Sequence, residues 1–199
     1  MTIAEYAKMV NGEGWLKGGV SCKLTTVACE NYKHESIYEL PIKPSPNLPN
    51  NRSIYLYPSL CFFEGTTVSV GRGTNTQFQV YGHPDLVEAP YRFTPTPMPG
   101  AKYPKHEGKT CHGYDLTKMD IETIRNRGTL DLSFLINAYQ NMPKNEPFFL
   151  KNLFFDKLAG GDKLRKQIIA GKSAKEIKAT WQDGLSEFKK VRAKYLLYN

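Results

Sequence analysis

Residues 77–96 read QFQVYGHPDLVEAPYRFTPT and contain two short runs of the kind that form β-strands. The runs are Gln77–Tyr81 and Tyr91–Thr96, and both are rich in aromatic and β-branched side chains. Glycine and proline residues border both runs, which limits them to short strands. This stretch therefore predicts a small amount of β-structure in the middle of the chain.

Further elements are predicted on both sides of this stretch. Two more strands are expected at residues 23–29 and 110–116. Before the first of them, apolar residues repeat at helical spacing after a Thr2 cap, and Gly12 ends that helix. The chain therefore begins with a helix that is followed by a strand.

The C-terminal part of the chain has a helical pattern. One helix is expected to end before Pro143, and a second, short helix is capped by Asp162, runs through Ile169 and stops at Gly171. Ser173 and Glu176 form a capping box for a last helix, whose apolar residues step by three or four positions and are interpreted as core packing. These apolar residues are Ile177, Trp181, Leu185, Phe188, Val191 and Tyr195.

Together these patterns predict an α+β fold with a small mixed β-sheet, a Pro/Gly-rich loop zone and C-terminal helices. The chain has 199 residues, which is the size of one domain, so residues 1–199 are expected to form a single domain. Eleven of the 13 prolines lie in the loop zone, residues 41–104. Long irregular segments in compact domains usually serve a function, so we expect the binding surface there.

Composition and charge exclude several classes of partner. The chain carries 27 Lys and Arg against 19 Asp and Glu, a net charge of +8, but these charges are interspersed in a way typical of solvated helix faces. No compact basic cluster with interleaved aromatics is present, so no nucleic-acid partner is expected. No apolar run approaches the roughly 18 to 20 residues of a membrane helix, so no membrane span is expected.

The sharpest motif is residues 62–74, FFEGTTVSVGRGT. Glu64 follows an apolar element, and Arg72 stands between two glycines that let the backbone approach a ligand while the guanidinium binds a carboxylate or phosphate. No GKS or GKT follows, so the motif is not a phosphate loop. An alternative is that Glu64 and Arg72 form an ion pair that holds a loop.

The histidines and cysteines supply one more candidate. His83 follows a predicted strand and is a candidate for hydrogen bonding to substrate, whereas His106 and the pair Cys111–His112 lack a second close pair that would complete a metal site. No CxxC pair occurs. The sequence therefore predicts neither a metal nor another cofactor. We expect Glu64, Arg72 and His83 to converge on one concave surface.

Five blocks of the sequence, in order, resemble the C-terminal domain of the bacterial exo-β-N-acetylmuramidase family, glycoside hydrolases formerly grouped as a domain of unknown function. The blocks are NGEGWL (11–16), PSPNLP (44–49), YPSLCFFEGT (57–66), GRGT (71–74) and YGHP (81–84). This resemblance implies a chain that supplies one wall of a cleft in which N-acetylmuramic acid is released from the non-reducing ends of peptidoglycan fragments.

The resemblance also implies roles and partners. It implies a Rossmann-like N-terminal domain that is absent from this chain, with residues 1–39 as the tail end of that domain. Glu64 would be a catalytic carboxyl, and Arg72, His83 and Asn47 would bind muramyl sugars. The isolated chain would then lack a complete catalytic set. A periplasmic or secreted location is expected, with cytoplasmic recycling of fragments as the alternative.

Two other classes of function remain open at the level of sequence. A non-catalytic carbohydrate-binding domain would keep the contacts to sugar and anion but lack the catalytic pair of carboxyls. A protein-interaction domain would use the same surface to pack on a partner chain.

Overall fold

The structure, a computed structural model, describes residues 1–198. It divides into two compact units: residues 1–38 together with residues from 178 onward, and Glu39–Ile177. The strands are β1 (Val80–His83), β2 (Tyr91–Phe93) and β3 (Cys111–Asp115), and the helices are α1 (Ile3–Gly12), α2 (Asn51–Leu60), α3 (Ile121–Asn126), α4 (Ser133–Asn141), α5 (Phe154–Ala159), α6 (Lys163–Ile169), α7 (Ala174–Ala179) and α8 (Gln182–Ala193). The predicted α+β fold is confirmed.

The three strands form one sheet, in which β3 lies between β1 and β2. Both pairings are antiparallel. The sheet is therefore antiparallel throughout, whereas a mixed sheet was expected. Gly82 lies opposite Gly113 in the register of β1 and β3. A Cβ atom on Gly113 would lie 1.9 Å from the Tyr81 carbonyl oxygen, so this close approach of two strands requires glycine.

Three of the four predicted strands are present, with shifted boundaries. β1 begins only at Val80 because Phe78 adopts a left-handed conformation with φ 53°, which a strand does not accommodate. β2 ends at Phe93, since Pro95 and a further proline two residues later have no N–H to donate to a neighbouring strand. The strand predicted at 110–116 corresponds to β3.

The strand predicted at residues 23–29 is wrong. This segment has no regular secondary structure, is mostly exposed and pairs with no strand among residues 1–198. Side chains bind the backbone at its edges instead: Asn11 exchanges two hydrogen bonds with the main chain of Cys22, and the Tyr198 hydroxyl accepts from the Cys29 N–H. Residues with high β-propensity favour strands, but a segment forms a strand only when a neighbouring strand pairs with it.

The helix predictions are confirmed at the start of the chain and partly at its end. Thr2 and Glu5 form the N-terminal capping box, and Ser173 and Glu176 cap α7. The last predicted helix is divided into α7 and α8, separated by residues 180–181. No helix among residues 1–198 is both long and apolar enough to cross a membrane.

The apolar stripe of the last two helices is not all core. Ile177 is fully buried, but Leu185 is 42% exposed and Phe188 is 39% exposed. The interpretation of these two residues as core is therefore wrong for the described part of the chain. The helical spacing correctly marks one face of α8, but described residues cover that face only in part: Val191 is half-buried, whereas Leu185 and Phe188 are exposed.

The first unit is held together by a buried carboxylate. Glu5 is fully buried and accepts hydrogen bonds from the Thr2 N–H (2.7 Å), His34 Nε2 (3.0 Å) and the Leu197 N–H (2.8 Å). Burial opposes ionisation of this carboxyl, but the hydrogen bonds outweigh it and lower its pKa from 4.5 to about 2. One side chain thus connects three segments that are far apart in sequence.

Replacing Glu5 with Gln should lower the free energy of unfolding at pH 7 by about 1.5 to 3 kcal/mol, the range for hydrogen bonds to a charged group. Because the folded-state pKa lies below the unfolded value, this stabilisation is complete above pH 4.5 and is lost as the pH falls towards 2. Urea unfolding of wild type and Glu5→Gln at pH 7 and at pH 3 measures both effects. The control is Glu35→Gln, at an exposed carboxylate. An equal loss at both pH values would contradict the explanation.

The core of the second unit holds residues 63–69 in place. Phe63 is fully buried and stacks on Tyr81 of β1, with ring centroids 5.0 Å apart. Further along, Ser69 exchanges two backbone hydrogen bonds with Gly82, of 2.8 and 2.9 Å. The segment from residue 63 to residue 69 is therefore anchored at both ends to β1.

Candidate functional site

A cavity of about 410 Å³ opens in the second unit. Its walls come from the 3₁₀ turn Cys61–Gly65, from residues 69–72, from residues 103–105 and from the first residue of α5. The lining residues are Glu64, Ser69, Val70, Arg72, Tyr103, Pro104, Lys105 and Phe154. The loop zone predicted to hold the binding surface contributes most of them.

Glu64 reaches the cavity because of the way α2 ends. The helix passes directly into the 3₁₀ turn, and within this turn Phe63 and Gly65 are buried on either side of Glu64. Gly65 packs directly on the backbone of α5, where a Cβ atom would lie only 2.4 Å from the Phe155 Cα atom. The turn is thereby held with its partly exposed carboxylate at the cavity wall.

Replacing Gly65 with Ala should therefore lower the free energy of unfolding by about 1 to 3 kcal/mol, since the new methyl group meets main-chain atoms that cannot move freely. Thermal and urea unfolding measure this change. Gly184→Ala serves as the control, because a methyl group on that helical glycine would have no atom within 4 Å and alanine favours helix. Unchanged stability of Gly65→Ala would contradict the close packing.

Arg72 lies in a loop whose backbone conformation requires the glycines on either side of it. Gly71 and Gly73 have φ of 75° and 86°, and a Cβ atom on Gly73 would lie 2.7 Å from Pro104. The exposed Arg72 side chain donates one hydrogen bond, from Nη2 to the Gly100 carbonyl oxygen at 3.0 Å. Most of its N–H groups are left to meet a ligand.

The alternative that Glu64 and Arg72 form an ion pair with each other is not what the structure contains. Among the salt bridges formed within residues 1–198, neither side chain takes part. Both line the same cavity, so it presents a carboxylate and a guanidinium that are not neutralised by direct pairing.

Asn47 lies behind Arg72 rather than in the cavity wall. Its Nδ2 donates to the Gly100 carbonyl oxygen at 2.9 Å, the same atom that accepts from Arg72. Gly100 has φ 82°, and a Cβ atom there would lie 2.5 Å from Pro46. In this structure Asn47 therefore fixes the carbonyl that orients Arg72, and it is not among the lining residues.

His83 does not converge with Glu64 and Arg72, so this part of the prediction is wrong. It is only 7% exposed, accepts a hydrogen bond at Nδ1 from the Asp85 N–H and packs edge-on against the His106 ring, with centroids 4.4 Å apart. Burial lowers its pKa to about 4, so the ring is neutral at pH 7. Its position at the end of a strand suggested exposure, but His106 covers it.

The pairing of His83 with His106 assembles no metal site. Within residues 1–198, no three His, Cys, Asp or Glu side chains are grouped closely enough to hold a metal ion. The His106 Nε2 atom is instead 2.7 Å from the Thr67 carbonyl oxygen, to which it donates. These two rings therefore support the segment that connects Glu64 to Ser69.

Four lining residues were missed by reasoning from sequence: Tyr103, Pro104, Lys105 and Phe154. Tyr103 is 81% exposed and Phe154 is 37% exposed, so two large aromatic side chains border the opening. Lys105 is partly buried, and burial lowers its pKa to about 8. An aromatic residue in a predicted loop is only weak evidence for a binding site. Nothing in the sequence around Lys105 marks it as a site residue, because its hydrogen-bond partners lie about 40 positions earlier in the chain.

The cavity wall combines three kinds of side chain that can act on a ligand. A carboxylate supplies proton transfer, a planar guanidinium binds an anion, and aromatic faces pack on the apolar side of a sugar ring. Glu64 is the one carboxylate among the lining residues that the structure describes. Hydrolysis of a glycosidic bond usually needs two carboxyl groups.

Comparison with known proteins agrees with these features. Residues 55–198 match the family model described as "Exo-beta-N-acetylmuramidase NamZ, C-terminal", and residues 1–52 match the one described as "Exo-beta-N-acetylmuramidase NamZ, N-terminal". The peptidoglycan beta-N-acetylmuramidase NamZ of Bacillus subtilis strain 168 is 32% identical over 213 aligned positions, which cover all of this chain and 50% of that protein.

Two solved structures have a similar fold, and both are DUF1343 family proteins of Bacteroides fragilis NCTC 9343. One is 51% identical with a TM-score of 0.93 over 100% of this chain and 56% of its own. The other is 20% identical with a TM-score of 0.75 over 98% of this chain and 56% of its own, and shows the fold alone. The chain thus spans about half the length of the relatives that it matches. The predicted resemblance is confirmed, and the chain belongs to the exo-β-N-acetylmuramidase NamZ family.

Proposed function

We propose that the cavity forms one wall of the substrate cleft of a glycoside hydrolase that releases N-acetylmuramic acid from the non-reducing ends of peptidoglycan fragments. The observation that carries this proposal is that Glu64 and Arg72 line one cavity without a salt bridge to each other. The relative from Bacillus subtilis is a peptidoglycan beta-N-acetylmuramidase, which supports the same class of substrate.

In this proposal Arg72 binds the group that muramic acid has and glucosamine lacks. Muramic acid carries a lactyl carboxylate, and a guanidinium binds a carboxylate through two parallel hydrogen bonds. Among residues 1–198, the Arg72 side chain makes one hydrogen bond, to the Gly100 carbonyl oxygen, which holds the side chain in place. The exposed rings of Tyr103 and Phe154 lie where a sugar ring would pack.

Glu64 is assigned to proton transfer at the glycosidic oxygen. A second carboxyl is needed as base or nucleophile, and the lining residues of this chain supply only Glu64. We assign the second group to a Rossmann-like domain in the part of the relatives that this chain does not span. The carboxylate of Glu64 would then face it across the cleft.

Exposed apolar side chains in the first unit support such a partner. Ile3, Val20, Val27 and Ile37 are each largely exposed. Residues 23–29 have no regular secondary structure and no strand partner among the described residues. Apolar surface and unpaired backbone of this kind are normally covered by another part of the protein. In the proposal this part is the Rossmann-like domain, with residues 1–39 as its tail end.

The proposed substrate also suggests where the protein acts. Peptidoglycan lies outside the cytoplasmic membrane, so we propose a periplasmic or secreted location. The alternative is recycling of imported fragments in the cytoplasm.

A second candidate function is a non-catalytic carbohydrate-binding domain. The observation that favours it is the single carboxylate of the cavity wall. It retains the anion contact of Arg72 and the aromatic rings but has no hydrolytic step. A role as a protein-interaction domain would leave both the carboxylate and the guanidinium without a ligand.

The test is release of N-acetylmuramic acid from the disaccharide MurNAc–GlcNAc. The substrate is incubated with this chain alone and with the chain joined to the Rossmann-like half of its relatives, and free sugars are separated by chromatography. Release only by the joined protein is expected. Binding of MurNAc without release in either form would favour the carbohydrate-binding domain, and no binding at all would contradict both.

A further inference from the structure

The Lys105 ammonium group sits among main-chain carbonyl oxygens. Four of them lie within 3.4 Å of Nζ: those of Thr66 (2.5 Å), Phe63 (3.0 Å), Glu64 (3.3 Å) and Val68 (3.4 Å). An ammonium group has three protons, so these acceptors use its full donor capacity. All four belong to one stretch of six residues, 63–68, which contains Glu64.

This stretch has little regular structure that would bring its carbonyl groups together. After the 3₁₀ turn ends at Gly65, the chain follows neither helix nor strand before β1. Carbonyl dipoles that point at a common centre repel each other unless a cation lies there, which is how rings of backbone carbonyls bind ions. Lys105 supplies that positive charge from a segment about 40 residues further along the chain.

Lys105 and Arg72 differ in how many of their N–H donors are already used within the protein. Arg72 spends one N–H group on Gly100 and keeps the rest for a ligand, whereas the protons of Lys105 are taken up by the stretch 63–68. Lys105 lines the cavity, but it has no proton left to bind an anion there. Its effect on a substrate must pass through the residues that it holds.

We propose that Lys105 is a positioning residue whose ammonium group, acting as a built-in cation, folds residues 63–68 and so sets the direction of the Glu64 carboxylate. This inference rests on the proposed function only where it concerns catalysis by Glu64. The ordering of the stretch by the ammonium group is a property of the chain itself.

The first experiment removes the cation and then returns it. In Lys105→Ala, the backbone NMR signals of residues 63–68 should shift, and propylammonium should return them towards their wild-type positions while propanol, of similar size but uncharged, should not. Lys109→Ala is the matched control, since it removes an exposed positive charge from the same segment. Unshifted signals, or equal rescue by both additives, would overturn the proposal.

A second measurement needs no variant and decides the matter if Lys105→Ala does not fold. Burial lowers the pKa of Lys105 to about 8, so the backbone carbonyl ¹³C signals of residues 63, 64, 66 and 68 should titrate together near pH 8. The other charged or titratable groups near the ammonium are Glu64, Arg72, His83 and His106. Burial lowers the pKa of both imidazoles, which places their titration below this range. Four flat or unrelated titration curves would overturn the proposal.

The catalytic consequence is measured in the protein joined to its Rossmann-like half. Lys105→Ala should lower kcat for MurNAc–GlcNAc by about 100-fold, because a small misplacement of a catalytic group has an effect of this size. KM should change little, since Arg72 is untouched, and propylammonium should restore kcat. An NMR response without any hydrolysis by the wild type would reject the proposed function and leave the positioning role standing. A normal kcat in Lys105→Ala would reject the catalytic part of the role.

Discussion

Replacing Glu64 with Gln is expected to lower kcat/KM for release of N-acetylmuramic acid by about 10²- to 10⁴-fold, the contribution of a general acid or base. Glutamine keeps the size of the side chain and its place between buried Phe63 and Gly65, but it cannot transfer a proton. Initial rates with MurNAc–GlcNAc, measured on the protein joined to the proposed Rossmann-like half, give the effect.

The matched control is Glu107→Gln, which neutralises an exposed carboxylate near the residues of the cavity wall. It should leave the rate unchanged. Affinity of Glu64→Gln for N-acetylmuramic acid should also remain, since we propose Arg72 for the anion contact. Full activity of Glu64→Gln would show that the proton donor is elsewhere.

The second large effect is expected at Arg72. Arg72→Ala should weaken binding of N-acetylmuramic acid by roughly 10- to 150-fold, which corresponds to the about 1.5 to 3 kcal/mol of a charge-assisted hydrogen bond. Binding of N-acetylglucosamine should change little, because this sugar has no lactyl carboxylate. Titration calorimetry or NMR titration with the two sugars measures the difference.

The control for Arg72 is Arg92→Ala, at an exposed arginine on β2 that lies outside the cavity wall. It should change neither affinity. Equal losses for both sugars in Arg72→Ala would mean that Arg72 holds the loop at Gly100 and does not contact the ligand.

The features predicted correctly from the sequence depend on residues that are close together in the chain. The glycines beside Arg72 lie in the predicted loop zone, and the structure has φ of 75° and 86° there. The capping box of Ser173 and Glu176 is likewise a contact between near neighbours. Glu64 and Arg72 were predicted to meet, and the short segment between them is held along β1 so that both reach one cavity.

Features that depend on distant contacts were missed or misplaced. Lys105 gains its role from carbonyl groups about 40 residues earlier, and no spacing rule connects the two segments. His83 was expected at the surface because it follows a strand, but packing against His106 buries it. The run 23–29 has strand composition but no partner strand among the described residues, and pairing, not composition, makes a strand.

The first unit is built from the two ends of the chain, with the whole of Glu39–Ile177 between them in sequence. The contact of Glu5 with Leu197 therefore closes almost the entire chain, and contacts of such high sequence separation form late because the intervening residues must be ordered first. During synthesis Glu5 therefore leaves the ribosome long before Leu197, and its carboxylate lacks this partner until residue 197 has been made.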